Sequence, residues 1–139
     1  MMPTPPKAIP FQGRTSIRVR YCECDPMGVA HHASYVPWFE IGRTELLRAA
    51  DISYAELEES GIFLVITRLE VKYRQPARYD NQLTVITTVT RGGRARIDHD
   101  YELWLDEPGR ERTHLLATAS TTLACVGSDG RPRPLPEWL

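Results

Sequence analysis

Several stretches of the chain alternate apolar and polar residues with a period of two, the pattern of strands with one buried face. In residues 16–22, Ile17, Val19 and Tyr21 fall on one side and Arg18 and Arg20 on the other. Residues 63–74 set Val65, Thr67, Leu69, Val71 and Tyr73 against Arg68, Glu70, Lys72 and Arg74. Residues 83–91 place Leu83, Val85 and Val89 together, and residues 96–106 set Ile97, Tyr101, Leu103 and Leu105 against Asp98, Asp100 and Glu102. Residues 113–127 are apolar at nearly every other position, with small mixed residues between, which predicts a long strand buried on one face and available to an interface on the other.

Between the first two strands the period changes. Residues 35–50, YVPWFEIGRTELLRAA, confine Glu40, Thr44 and Arg48, with Asp51 beyond, to a narrow polar stripe. A helix apolar around most of its circumference is enclosed by protein. Pro37 belongs in a first helical turn, where its missing N–H loses no partner, so the helix should begin near residues 33–36. Ser53 with Glu56 three residues later has the form of a capping box opening a second, short helix, which Gly61 can end. The predicted class is α+β: an antiparallel sheet of about five strands curled round one central helix. Hairpin turns fit residues 78–82, 92–93 and 106–112. Residues 1–14 read as an arm, 15–130 as the domain, and 131–139, RPRPLPEWL, as an extended tail whose prolines deny it ladder donors.

Composition narrows the function. The 139 residues suit one domain, and 42% hydrophobic with 25% charged is ordinary for a soluble globular protein. A net charge of −1 lacks the basic excess of a nucleic-acid binder. No apolar run approaches the roughly 20 residues of a membrane span, and MMPTPPKAIP lacks a signal-peptide core. Three cysteines, Cys22, Cys24 and Cys125, fit a reducing compartment better than a disulfide framework, so the expected location is cytoplasmic.

The densest chemistry lies in residues 21–35, YCECDPMGVAHHASY. Pro26 pushes Asp25 towards an extended conformation, and Gly28 permits the tight turn that returns Val29 to His32 towards the helix start. A carboxylate and the amide N–H groups around residues 32–36, which carry the positive end of the helix dipole, can then converge on one small volume. The bland alternative is that Asp25 only caps a loop. A metal site is disfavoured because C-x-C on a strand is not structural-zinc spacing, no second pair completes a tetrahedron, and adjacent histidines should diverge. A redox role lacks a C-x-x-C, and Cys22 and Cys24 read as packing residues. His99 shares a face with Ile97 and Tyr101, as core or interface, and Trp38 and Phe39 read as core.

The stretch CDPMGVAHHASYVPWFE resembles the signature of the 4-hydroxybenzoyl-CoA thioesterase family, of the hotdog fold, and within it the acyl-CoA thioesterases associated with the Tol–Pal cluster. The resemblance spans nearly the whole chain, from RVRY through IGRTELLR and VKYRQPARYDNQLTV to RPRPLP. It implies hydrolysis of an acyl-CoA thioester to a carboxylic acid and free CoA, with no cofactor beyond the coenzyme A of the substrate. Asp25 matches the catalytic carboxylate, either as nucleophile or as general base on water. His32 matches the position whose backbone N–H faces the thioester oxygen, and its ring is open between positioning Asp25 and lining the pocket. Gly28, Val29, His31 and Tyr35 fall at pocket positions. His31 stands where an aromatic residue is usual and Ala30 where valine is common. Arg74 and Arg78 in YRQPARYD, and Arg91, Arg94 and Arg96 around the Gly92–Gly93 turn, are candidate partners for the CoA phosphates, with Arg94 at the matching turn. The resemblance further implies dimers through strand pairing, or dimers of dimers (a homotetramer), with the active site shared between chains. Two other readings remain open: an acyl-CoA or acyl-carrier binding module, and a hydratase or dehydratase of the same superfamily.

Overall fold

The computed structural model describes residues 7–139. The first six residues of the expected arm lie outside the described residues. The chain runs β1 (Gln12–Arg18), a 3-10 turn at Tyr21–Glu23, a second at His32–Ser34, α1 (Tyr35–Ala49), α2 (Tyr54–Glu59), β2 (Phe63–Tyr73), β3 (Gln82–Gly92), β4 (Arg96–Glu107) and β5 (Arg110–Val126). The strands form one antiparallel sheet in the order β1-β3-β4-β5-β2. This is the expected α+β arrangement of five strands and one long helix. No helix among the described residues is long and apolar enough to cross a membrane.

The helix packs through the face the sequence marks as apolar. Tyr35, Trp38, Phe39, Leu46 and Leu47 are buried, while Glu40 and Arg48 of the polar stripe are exposed. At Gly42 an added Cβ would collide with Thr87 Oγ1 and come within 2.8 Å of Val85 Cγ1, so only glycine lets α1 lie this close to β3. Trp38, Phe39, Leu83, Val85, Tyr101, Leu103 and Leu116 fill the main core. A second cluster, around Leu47, Ile52, Leu57, Ile62 and Cys125, is closed by Trp138 and Leu139 of the tail. The Ser53–Glu56 capping box forms as expected, with Glu56 N donating to Ser53 Oγ at 3.2 Å and Ser53 N to Glu56 Oε2 at 3.0 Å.

Four local expectations change. The first strand is shifted: β1 begins at Gln12, inside the expected arm, and ends at Arg18, so Tyr21 and Cys22 lie in a 3-10 turn and Tyr21 is exposed. Residues 78–82 make no hairpin, because β2 pairs with β5 whereas β3 pairs with β1 and β4. The 74–81 segment is a crossover between opposite parts of the sheet, and it passes the start of α1. The expected inner face of β2 is open: Val65, Leu69 and Tyr73 are all exposed, as is Ile66. Strand β2 is a sheet edge, and alternation alone cannot say whether the covering surface lies in the same chain. Finally, the tail is extended but does pair. Its residues between prolines supply the donors: Arg133 N to Cys125 O at 3.0 Å and Leu135 N to Arg94 O at 2.7 Å.

Candidate active site

The loop between β1 and α1 folds as a short hairpin. Cys24 bridges Ala30 antiparallel, Asp25 N donates to Val29 O at 2.9 Å, and His31 N donates to Glu23 O at 2.8 Å. The turn at its tip has Gly28 at φ +79°, a conformation side-chain-bearing residues resist. Gly28 thus has the local role the sequence assigns it. Asp25 Oδ1 accepts from Met27 N at 2.8 Å, an Asx turn that fixes the carboxylate at the hairpin tip. Asp25 itself is half-buried.

The hairpin leads directly into the helix start. Ala33 N donates to His31 Nδ1 at 3.1 Å, so His31 caps the 3-10 turn that precedes α1. The two histidine rings do not diverge; they lie against each other with centroids 4.1 Å apart. Both are exposed, and neither is hydrogen-bonded to Asp25 among the described residues. The His32 amide N–H has no hydrogen-bond partner among the described residues, as expected of a helix-start amide. Its carbonyl accepts from Tyr73 Oη at 2.7 Å, which ties the edge strand β2 to the helix start. Burial, and after it Tyr35, pushes the Tyr73 phenol above its ordinary value, so it remains a donor at neutral pH.

Glu23 is a buried carboxylate under the hairpin that sequence reasoning assigned no role. Its Oε1 accepts from Arg20 N at 2.7 Å, and its Oε2 from Trp38 Nε1 at 2.8 Å and Arg20 Nη2 at 3.3 Å. Burial would raise its pKa, but those donors together outweigh it and hold the carboxyl below the usual range. Its backbone carbonyl also accepts from Ser34 Oγ at 2.8 Å. Glu23 therefore fastens the hairpin to the first turn of α1 through both side chain and backbone. A faint signal was present, an acid between two cysteines just ahead of a tryptophan-bearing helix, but only folding brings Trp38 to it.

The remaining expected site residues separate into two places. Val29 bridges Arg78, Ala30 N donates to Ala77 O at 2.8 Å, and Ala77 N donates to Tyr35 Oη at 3.2 Å. The crossover thus brings Arg78, exposed, beside the hairpin, with Arg74 nearer the end of β2. Tyr35 is buried between Trp38 and Tyr73, so it supports the site from the core and is not an open pocket wall within one chain. Arg94 and Arg96 lie elsewhere, at the β3–β4 turn, which sits against the tail and the C-terminal half of α1. Arg96 is held by Asp98, with Nε and Nη2 at 3.1 and 2.7 Å from its two oxygens. Within a single chain the arginines do not form one cluster, because the turn and the hairpin are at opposite ends of α1. Cys22 is exposed and Cys24 is half-buried with its Sγ 3.7 Å from Arg20 O. Among the described residues no three His, Cys, Asp or Glu side chains converge as a metal cage.

Known proteins share this architecture. The Acyl-CoA thioesterase YbgC of Haemophilus influenzae is 32% identical over 120 residues, 86% of this chain and 83% of its own. The Acyl-CoA thioester hydrolase YbgC of Escherichia coli O6:H1 is 39% identical over 77 residues, 55% of this chain and 58% of its own, so that match spans little more than half of the relative. The solved DHNA-CoA thioesterase of Staphylococcus aureus superposes with a TM-score of 0.82 at 34% identity, covering 89% of this chain and 80% of that one. The family profile described as the thioesterase-like superfamily matches residues 19–139, which include the whole hairpin, α1 and the crossover. With a hotdog fold, that match and those relatives, the chain belongs to the thioesterase-like superfamily.

Proposed function

We propose that this protein is an acyl-CoA thioesterase in which Asp25 and the start of α1 act on one thioester carbonyl. The observation that carries the reading is the hairpin: it holds a carboxylate through a single amide bond, from Met27, two residues before the strand that returns to the helix start. The chain's relatives that carry thioesterase names support the substrate class. The His32 N–H, unpaired among the described residues, can donate to the carbonyl oxygen as negative charge develops on it, a contribution of about 3 kcal/mol for one well-placed donor. A thiolate leaves readily, so no acid is needed at sulfur. In one route Asp25 attacks the carbonyl carbon, the C–S bond breaks to release CoA thiolate, and water opens the resulting mixed anhydride. In the other, Asp25 takes a proton from a water that attacks directly. Single turnover in isotopically labelled water identifies the first route when label enters the Asp25 carboxylate, and where water opens the anhydride at the acyl carbonyl instead, trapping Asp25 as its hydroxamate with hydroxylamine identifies it. Neither route calls for a cofactor. The His31 and His32 rings, Val29 and Gly28 border the acyl group, and Arg78 and Arg74 are placed for the CoA phosphates.

The site is open in one chain, and the exposed apolar row Val65, Ile66, Leu69 on edge strand β2 is where a second copy would pair to cover it. Tyr73, on that same strand, touches His32, so pairing and the site are mechanically linked. Arg94 and Arg96 would then serve the CoA of a neighbouring chain. Light scattering should give a dimer or dimer of dimers, and Leu69→Lys should reduce the mass and the activity together. A monomeric wild type that is fully active would overturn this assembly.

The deciding experiment is thiol release over a panel of aromatic, short-chain and medium-chain acyl-CoAs. Stoichiometric free CoA with the matching acid is expected. A change in enoyl absorbance without CoA release would mean a hydratase, and saturable binding with neither would mean a carrier module.

A further inference from the structure

A largely apolar cavity lies away from Asp25. It lies against the C-terminal half of α1, a space of about 170 Å³ walled by Leu46, Leu47, Leu64 and Trp138, with Arg43 and His99 among its lining residues. A cavity of about 150 Å³ in another protein holds benzene, which sets the scale of an occupant. The walls are apolar, yet they contain a cation. Arg43 is 7% exposed, and its donors meet only neutral oxygens at hydrogen-bond distance: Nε with Tyr54 Oη at 3.1 Å and Nη1 with Tyr101 Oη at 3.3 Å. Tyr101 Oη is in turn shared with Thr121 Oγ1 at 2.7 Å. The carboxylate of Glu40 is 3.9 Å from Nη2, beyond hydrogen-bond reach, and its side chain is mostly exposed. A guanidinium offers five donors, so most of this one's capacity is unspent among the described residues. His99 is 5% exposed and its Nδ1 is buried without a partner among the described residues. Buried polar groups of native proteins are nearly always satisfied, and a buried charge without a contacting counter-ion is destabilising. The unpaired His99 nitrogen and the Arg43 cation, whose one carboxylate neighbour is distant and mostly exposed, border the same cavity.

We infer that this cavity is a binding site for a small monocarboxylate, its carboxylate on Arg43 and within reach of His99, its apolar body against Leu46, Leu47, Leu64 and Trp138. A carboxylate supplies a counter-charge at hydrogen-bond distance, which the exposed Glu40 at 3.9 Å does not, and accepts from a guanidinium in a matched geometry. The neutral His99 ring can donate one N–H to it. The inference does not rest on thioester hydrolysis at Asp25, and the site is separate from that hairpin.

Calorimetric titration of the full chain at neutral pH with sodium benzoate and sodium hexanoate, against benzyl alcohol and 1-hexanol, tests it. At least one acid should bind saturably, once per chain, and more tightly than its matching alcohol by about tenfold or more. The aromatic and aliphatic acids together identify the shape of the body. Leu64→Trp, which fills the cavity, should abolish binding, Arg43→Met should weaken it by about tenfold or more, and Asp25→Asn should leave it unchanged. Should Arg43→Met fail to fold, the alcohol comparison and Leu64→Trp decide alone. Absence of binding by both acids up to about 10 mM, equal binding of the alcohols, or binding unaffected by Leu64→Trp would each overturn the inference. Loss of binding in Asp25→Asn would assign the ligand to the hairpin site and overturn it equally.

Discussion

Glu23 and Asp25 stand two residues apart on one strand of the same hairpin, yet their surroundings are opposite. Glu23 is buried and accepts from the Arg20 amide, the Arg20 guanidinium and the Trp38 indole. Asp25 is half-buried and accepts from one amide, that of Met27. A carboxylate saturated with donors is a fixture: its charge is spent, and its low pKa makes it a weak base. One with spare lone pairs, on a hairpin that leads into the helix start, is the candidate for chemistry. Where two acids are this close in sequence, it is the number of donors each receives that sorts scaffold from reagent.

The sharpest way to break that contrast is Asp25→Asn. Asparagine keeps the oxygen that accepts from Met27 N, so the Asx turn and the hairpin should survive with the melting temperature unchanged. Thiol release should fall by about 1,000-fold or more, equivalent to about 4 kcal/mol of transition-state stabilisation. Glu23→Ala inverts the pattern. It strands the buried Trp38 N–H and the Arg20 amide, and stability should drop by about 3 kcal/mol in chemical denaturation. Of the two links from the hairpin to the helix, alanine loses the one through the carboxylate to Trp38 and retains the one through the Glu23 carbonyl, so the protein that remains folded should turn over at a rate close to wild type. A Glu23→Ala protein that is stable but inactive would make Glu23 the reagent and end the distinction.

The same pair shows how far the sequence could be read. Asp25, Pro26, Gly28 and the helix start are local in the chain, and short-range rules placed them: the turn, the proline in the first helical turn, the capping box of α2. Glu23 was opaque because its partner Trp38 is fifteen residues away and on another element. Arg43 was opaque for a like reason: on the helix it reads as one polar residue, and only the packing of Tyr101 and Tyr54 against it shows that it is buried. The sheet order was also beyond reach. Alternation identifies β2 and β3 as strands, but nothing local says that the segment joining them crosses the sheet, or that the apolar face of β2 has no cover in its own chain. That crossover sets Arg78 beside Val29, and the β3–β4 turn carries Arg94 to the far end of α1.

Acid titration of stability gives the smallest effect and tests the contrast from the other side. Two groups act in different windows. His99, buried and facing the Arg43 charge, with Asp98 opposing weakly, is pushed down from its ordinary 6.5 to about 4. A group with a depressed folded pKa binds protons more readily when unfolded, so its contribution is complete above pH 6.5 and is lost as pH falls towards 4, by about 2 kcal/mol at pH 5. Glu23 is also depressed, so its contribution is complete above the ordinary carboxylate value of 4.5 and is lost only as pH falls below that, through its lower folded value. Melting temperatures from pH 8 to pH 3 should therefore decline in two stages. His99→Phe, which removes the titration and keeps a ring beside Tyr101, should flatten the first stage and leave the second. Glu23→Gln should do the reverse. A second stage that persists unchanged in Glu23→Gln would show that the buried acid does not carry the stability of the hairpin.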